Sequence, residues 1–409
     1  MIILGIETSC DETAVSVVEG NGSLETPIFR VLGSAIQSQV DLHRAFGGVV
    51  PGLAKREHQR NLLPVLAESL FEAGLISEET LKILNENLIA DTDRQEEIDR
   101  IWQKTFEGVA NPGIDLIAVT VGPGLEPALW TGITFAKILG QKWQIPVHGT
   151  NHMEGHIASV LFNKTEGSSN REIKFPAIAL LISGGHTELV LLENWLSKTK
   201  IGETLDDAVG EAYDKVARML DLPYPGGPQI SALAEKARDL NIELDRKLPR
   251  PMIHSKDFNF SFSGLKTAVL YYLRKTSPPS IDSNNSRLVT APLPLPRGGG
   301  KVIISEKEKL AIAREFEDAV TEVLISKTRS AIEKHNPHTL IIGGGVIANH
   351  NIRKNILELE NYYPDLKALV PTKDLATDNA TMIAIAGYLE KISGQSGAAL
   401  RADGNLEID

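Results

Sequence analysis

The chain predicts an α/β fold of two similar lobes facing each other across a cleft, and three observations predict it. First, short β-rich runs recur along its 409 residues between glycine-rich turns and helical stretches. Second, ALLISGGHTELVLLE resembles the opening of the chain: Ser9, Thr13 and Glu19 are matched by Ser183, Thr187 and Glu193 at a constant spacing of 174 residues. Third, TLIIGGGVIANHNIRKNI repeats the strand, glycine turn and helix order of IAVTVGPGL, so the duplication extends beyond the first strands.

The first lobe is expected over residues 1–150. IILGIETS, AVSVVEG and IFRVLGSAIQS read as short strands of an antiparallel meander. A helical stretch follows near Arg56 to Ala73. The polar piece from Asn85 to Glu107, with seven acids against three bases, reads as a solvated helical insertion. IDLIAVTV then leads into Gly122-Pro123-Gly124 and a helix reaching Lys142. The second lobe is expected over 151–377, its first strand near Phe175. Within it, the Pro-, Ser-, Asn- and Gly-rich stretch 276–305 cannot propagate helix or strand and reads as an inserted mobile loop. A helix over 378–395 is expected to complete the first lobe, and the tail 396–409 to fray.

Composition bounds the function. With 42% hydrophobic and 23% charged residues the chain suits an ordinary soluble globular protein, which argues against wholesale disorder. The single cysteine, Cys10, excludes an intramolecular disulfide and a multi-thiolate zinc site, and a cytoplasmic setting fits best. The apolar run Met1 to Ile6 is interrupted by Glu7 and lacks a basic flank, so it reads as a buried strand rather than a signal peptide. No stretch approaches the roughly 18–20 apolar residues of a membrane span, so no membrane partner is expected. The net charge of −11 means that a nucleic acid would need a local basic surface. Two runs are candidates: Arg246, Lys247, Arg250, Lys256, Lys266, Arg274 and Lys275, and the group Arg44, Lys55, Arg56 and Arg60.

The sharpest local signal is Thr150-Asn151-His152-Met153-Glu154-Gly155-His156 at a helix start. Two imidazoles at i and i+4 share one helix face, close enough for one metal ion to take both; the alternative is a pair of polar surface residues. In H-E-x-x-H metalloproteases the glutamate follows the first histidine directly and acts as base. Here Glu154 stands two places on, about 200° around the helix, so it points away from the histidine face. Asn151 and Glu154 match a capping box instead. A third ligand must come from elsewhere, and Asp378, at the start of a helix-like run, is either that carboxylate or the helix cap.

Glycine turns at Gly122 to Gly124, Ser183 to Gly185 and Gly343 to Gly345 each follow an apolar β run, where bare backbone can approach a phosphate or nucleoside. Together they favour a nucleotide-type ligand in the cleft. Tyr224-Pro225-Gly226-Gly227-Pro228 adds a fourth tight turn.

GIETSCDET, FGGVVPGLAKREH, NHMEGH, LISGGHT, YPGGP, FSFSGLKT and GGGVIAN, in order from Gly5 to about Gly387, resemble the TsaD family of tRNA N6-adenosine threonylcarbamoyltransferases, formerly described as O-sialoglycoprotein endopeptidases. The resemblance implies an actin-like ATPase (ASKHA) fold. It also implies an acyltransferase that moves threonylcarbamoyl from threonylcarbamoyl-AMP to the adenosine beside the anticodon of tRNA. By the same resemblance one divalent ion, iron or zinc, is held by His152, His156 and Asp378. The adenylate contacts Leu181, Ile182, Ser183, Gly184, Gly185, Asp214, Gly227 and Asn349. The partner proteins TsaB and TsaE are implied too. Departures fall mainly in insertions near Asn85 to Glu107, Asn163 to Lys174 and Thr276 to Ser305, with Glu126-Pro127 less usual after its turn.

The acceptor amine is a poor nucleophile and the donor carries a good leaving group, so positioning and charge stabilisation are the main tasks. Backbone N–H groups from Ser183 to Gly185 are expected to assist, and Asp11 or Glu12 to take the proton late. The alternative on the same fold is a small-molecule kinase or carbamoyltransferase, which would not need a His/His/Asp trio.

Overall fold

The computed structural model describes residues 1–86, 95–107, 109–162, 171–276 and 304–408. The duplication is borne out strand for strand. Strands β1 (Ile2–Glu7), β2 (Glu12–Gly22) and β3 (Pro27–Ser38) form the expected antiparallel meander. Then β4 (Leu116–Gly122) and β5 (Val147–Asn151) add in parallel, giving the order β3-β2-β1-β4-β5. In the second half β6 (Ala177–Ile182), β7 (Thr187–Asn194) and β8 (Ser197–Glu203) repeat the meander. Here β9 (Thr339–Gly343) and β10 (Lys367–Leu369) add in parallel, giving β10-β9-β6-β7-β8. Both sheets therefore use one permutation, the two-lobed arrangement of an actin-like ATPase.

In the first half α1 (Val40–Arg44), α2 (Pro51–Glu72), α3 (Glu78–Glu86), α4 (Gln95–Thr105) and α5 (Glu126–Trp143) connect the strands, and α6 (His152–Ala158) leaves β5. Pro51 begins α2 five residues ahead of the expected start, because its fixed φ and missing N–H suit a first turn. Glu126-Pro127 is the first turn of α5, where a carboxylate answers the helix dipole and proline sacrifices no bond. The second half contributes α7 (Val209–Met219), α8 (Gly226–Asp239), α9 (Ser263–Thr276), α10 (Glu306–His335), α11 (His350–Leu357), α12 (Lys373–Ala376) and α13 (Ala380–Ile392).

Why the strands read as continuous apolar runs is plain from their two faces. Along β1, Leu4 and Ile6 enter the core of the first lobe, while Ile3 faces the other way. Along β6, Ile178, Leu180 and Ile182 enter the second core, while Ala177, Ala179 and Leu181 turn the other way. Those opposite faces meet a third core, filled by Met153 and Ile157 of α6 and by Met382, Ile383 and Ile385 of α13. These two helices lie between the sheets. Gly5 permits this, since a Cβ there would sit 2.1 Å from the Ala380 carbonyl oxygen.

Three expectations are corrected. The polar insertion is not simply solvated: Ile98 and Trp102 of α4 are fully buried, the indole edge-on to Phe135 at 4.9 Å. Its period of one apolar side chain per helical turn is enough to seat it on α5. The tail does not fray. Ala398 pairs with Gly149, the Asp403 N–H donates to Val121 O at 2.9 Å, and Ala402 and Ile408 are buried. The C-terminal helix runs over Ala380–Ile392, narrower than 378–395, and packs on α6 as well as on β1, β2 and β4. The expected mobile loop lies almost wholly outside the described residues.

Candidate functional site

Helix α6 starts where β5 ends. Asn151 caps it, its Oδ1 accepting from Met153 N at 2.8 Å and Glu154 N at 3.4 Å. The reciprocal half of the expected capping box does not form. Glu154 points away from the histidines, as its spacing predicts, and pairs instead with Lys198 at 2.8 Å. Burial pushes its carboxyl up to about 6, with Glu390 adding to the effect and Lys198 opposing it.

The two histidines share the opposite face, ring centroids 4.7 Å apart. Asp378 comes to them from the far end of the chain. Its Oδ1 lies 3.4 Å from His152 Nε2 and 3.3 Å from His156 Nε2. The cap of α13 is its neighbour Asn379, whose Oδ1 accepts from Met382 N at 2.9 Å. The choice between cap and cluster at Asp378 is thereby decided by geometry: the cap is Asn379.

One donor atom from each of His152, His156 and Asp378 falls within 4.8 Å of the others. His156 is fully buried, and neither of its ring nitrogens makes a hydrogen bond among the described residues. An orphaned buried imidazole is costly unless something else completes it. His152 Nδ1 is oriented by Glu7 Oε2 at 2.9 Å, which also accepts from Thr120 Oγ1 at 2.6 Å, leaving Nε2 turned to the cluster. Burial alone would push the His152 pKa down, but Asp378 and Glu7 drive it well above its usual value. Burial likewise opposes ionisation of Asp378, and the two imidazoles hold it well below the usual carboxylate range. Two carboxylates thus give the buried pair of imidazoles a field that favours a cation, and the donor set can hold a divalent metal ion.

Beside this cluster the second-lobe turns converge. Gly343 packs directly on His156 and Leu181. Leu181 and Ile182 bury their side chains in two different cores, so only their backbone can face a ligand. The Ser183 N–H is spent on His186 O at 2.9 Å, which removes it from the expected donors. Gly184 and Gly185 have open space where a Cβ would stand. Asp214, on α7, accepts from Gly226 N at 2.7 Å, next to Gly227 in the first turn of α8. Asn349 caps α11 and donates to Glu317 Oε1 at 2.5 Å.

From the first lobe, Asp11 is 7% exposed, and its Oδ2 has no hydrogen-bond partner among the described residues. Burial, then Asp11 and Asp378, push the Glu12 carboxyl well above its usual value. Sequence reasoning missed Glu7 and His186. Glu7 was visible only as a charge inside an apolar run. His186 stands in LISGGHT, and burial, with His152 and His156 nearby, takes its imidazole down to about 4.

A buried relay braces the turn that carries Asp11. Val50 N donates to His43 Nδ1, His43 Nε2 meets Gln39 Oε1 at 3.2 Å, Gln39 Nε2 meets His58 Nδ1 at 3.3 Å, and His58 Nε2 meets Cys10 O at 3.0 Å. Burial takes the His58 pKa down to about 4. The unfolded chain accepts that proton near 6.5, so between these values the unfolded state binds more protons and stability rises with pH. The contribution is full above about pH 6.5 and is lost as the pH falls towards 4, about 3 kcal/mol in all. Urea unfolding midpoints of wild type and His58→Gln should diverge at pH 7.5 and converge near pH 4.5; parallel profiles would refute this role.

The basic run from Arg246 to Lys266 is largely paired. Arg246 meets Asp245, Lys247 and Arg250 meet Glu315, and Lys266 meets Asp207. Its charge is therefore spent locally rather than presented as a bare patch. No helix among the described residues is long and apolar enough to cross a membrane.

The family model described as TsaD, tRNA N6-adenosine threonylcarbamoyltransferase, matches residues 30–84 and 89–385. A protein of that name from Thermosipho africanus is 37% identical over 409 residues, all of both chains. One from Polynucleobacter asymbioticus is 39% identical, covering 97% of this chain and 94% of its own. One from Bacillus subtilis is 38% identical, covering 97% and 93%.

Proposed function

The chain belongs to the TsaD family of tRNA N6-adenosine threonylcarbamoyltransferases, and on that premise we propose how its cleft performs the transfer. The donor is threonylcarbamoyl-AMP, and the acceptor is N6 of the adenosine next to the anticodon in tRNAs reading codons that begin with adenine. AMP leaves. His152, His156 and Asp378 hold one divalent ion, zinc or iron, both of which accept imidazole and carboxylate donors. When bound, the ion supplies Lewis-acid charge to an oxygen of the adenylate. The observation that carries this reading is the convergence of three donors, two on α6 and one more than two hundred residues later, with His156 Nε2 otherwise unpartnered among the described residues.

The remaining work falls to the protein. The N–H groups of Gly184 and Gly185 face the departing phosphate, while Asp214, Gly227 and Asn349 hold the adenylate in register. As N6 bonds to the carbamoyl carbon, the bond from that carbon to the phosphate oxygen breaks and AMP takes the electron pair. The amine becomes acidic only then, and Glu12 takes its proton, with Asp11 beside it. A carboxyl whose pKa is raised is better matched to that late transfer than an ordinary one. The enzyme acts in the cytoplasm, with TsaB and TsaE as partners.

Reconstitution with threonylcarbamoyl-AMP and unmodified tRNA, with and without those partners, tests the reading. Modified adenosine should form with AMP released in equal amount. Glu12→Gln should lower kcat by about 100-fold or more and leave adenylate binding nearly intact. Unchanged turnover would remove Glu12 from the mechanism.

A further inference from the structure

We propose that Phe46 is the platform on which the target adenine stacks while its amine is modified; this rests on the transfer reading above. Phe46 exposes 62% of its surface, although it stands in a short loop held on both sides. Just before it, Arg44 Nε donates to Tyr224 O at 3.1 Å. Just after it, an Arg218 guanidinium N–H donates to Gly47 O. Both bonds cross from the first half of the chain to the second, and both arrive beside Asp214. Arg218 is one turn further along α7, and Tyr224 leads into the Gly226 N–H that Asp214 accepts.

Gly47, at φ +67°, lets the chain turn directly after the ring. The foot of the loop is His43, whose O accepts the Phe46 N–H at 2.9 Å. His43 also begins the buried relay through Gln39 and His58 to Cys10 O, so the ring and the Asp11 turn are set by one hydrogen-bonded frame. A floppy exposed phenylalanine is ordinary; one in a loop clamped across the seam between the lobes, by bonds that reach the Asp214 turn, is a binding feature.

The chemistry selects a nucleobase as its occupant. An unpaired adenine stacks on an aromatic face with its exocyclic amine in the ring plane, which leaves N6 free to enter the cleft edge-on. Arg44 pairs with Asp41 at 2.9 Å and Arg218 holds the Gly47 carbonyl, so the two guanidiniums fix the loop and the ring's aromatic face does the recognition.

The test compares wild type with Phe46→Ala, Phe46→Leu and Phe46→Tyr. Loss of one base stack should raise KM for unmodified tRNA by about 5- to 150-fold in the Ala and Leu proteins. The Tyr protein should stay near wild type. Binding of threonylcarbamoyl-AMP and the thermal unfolding midpoint should be unchanged throughout. A Leu protein as good as wild type, an unchanged KM in Phe46→Ala, or lost binding of a protein partner with tRNA KM intact would overturn the stack. Direct titration with an unmodified anticodon stem-loop runs alongside. Aromatic-dependent RNA binding without any wild-type turnover would support the stack and overturn the transfer reading instead.

Discussion

A His156→Ala protein is expected to fold and to purify with almost no bound metal, where the proposed centre predicts about one zinc or iron per chain of wild type. The proposed centre offers three protein donors, and His156 is the one with nothing else to do: it is fully buried and its nitrogens are otherwise unpartnered. Losing even a partner that only orients a ligand weakens metal sites by about 10- to 100-fold, so loss of a ligand should exceed the upper figure. Transfer should fall with metal content. The fold should survive, because the third core beside it is carried by Met153, Ile157 and the α13 side chains, although emptying a buried site costs some stability. Elemental analysis and near-wild-type circular dichroism would check both halves. Full metal occupancy in this variant would dismiss the centre.

Trp102→Ala should destabilise the first lobe by about 3–5 kcal/mol, the range for emptying a large aromatic site. The indole is fully buried and edge-on to Phe135, and Phe106 packs on the same ring. Its Nε1 is buried with no hydrogen-bond partner among the described residues. Trp102→Phe removes that unmet donor while keeping most of the ring, and should cost far less than alanine. Urea unfolding followed by the fluorescence of the first lobe reads both. Equal midpoints for wild type and Trp102→Ala would mean that α4 is peripheral after all.

The duplication was readable because Ser9, Thr13 and Glu19 recur at a spacing of 174 residues and the order of strand, glycine turn and helix recurs in both halves. The pairing of His152 with His156 was readable because a helix makes i and i+4 neighbours. Asp378 was not assignable by local pattern, since a carboxylate beside a helix start looks the same as cap or ligand; only tertiary geometry shows Asn379 taking the cap. The error at α4 has a clear cause. Seven acids dominate the stretch Asn85 to Glu107 that holds it, while the few apolar side chains that decide its burial are thinly spread. The tail misled for a similar reason, because backbone hydrogen bonds such as Asp403 N to Val121 O leave no trace in composition.

Bringing Asp378 back to the histidines means that roughly two hundred residues must be translated between the second and third donors. At about 5–20 residues per second, the nascent polypeptide spends on the order of 10–45 s with two imidazoles on offer and no aspartate to join them. On the proposed centre, ion loading would thus be a late event in biosynthesis, and a product that terminates early at the ribosome would lack its third donor. Occupancy of the centre in a cell extract would therefore report on completed chains rather than on total antigen.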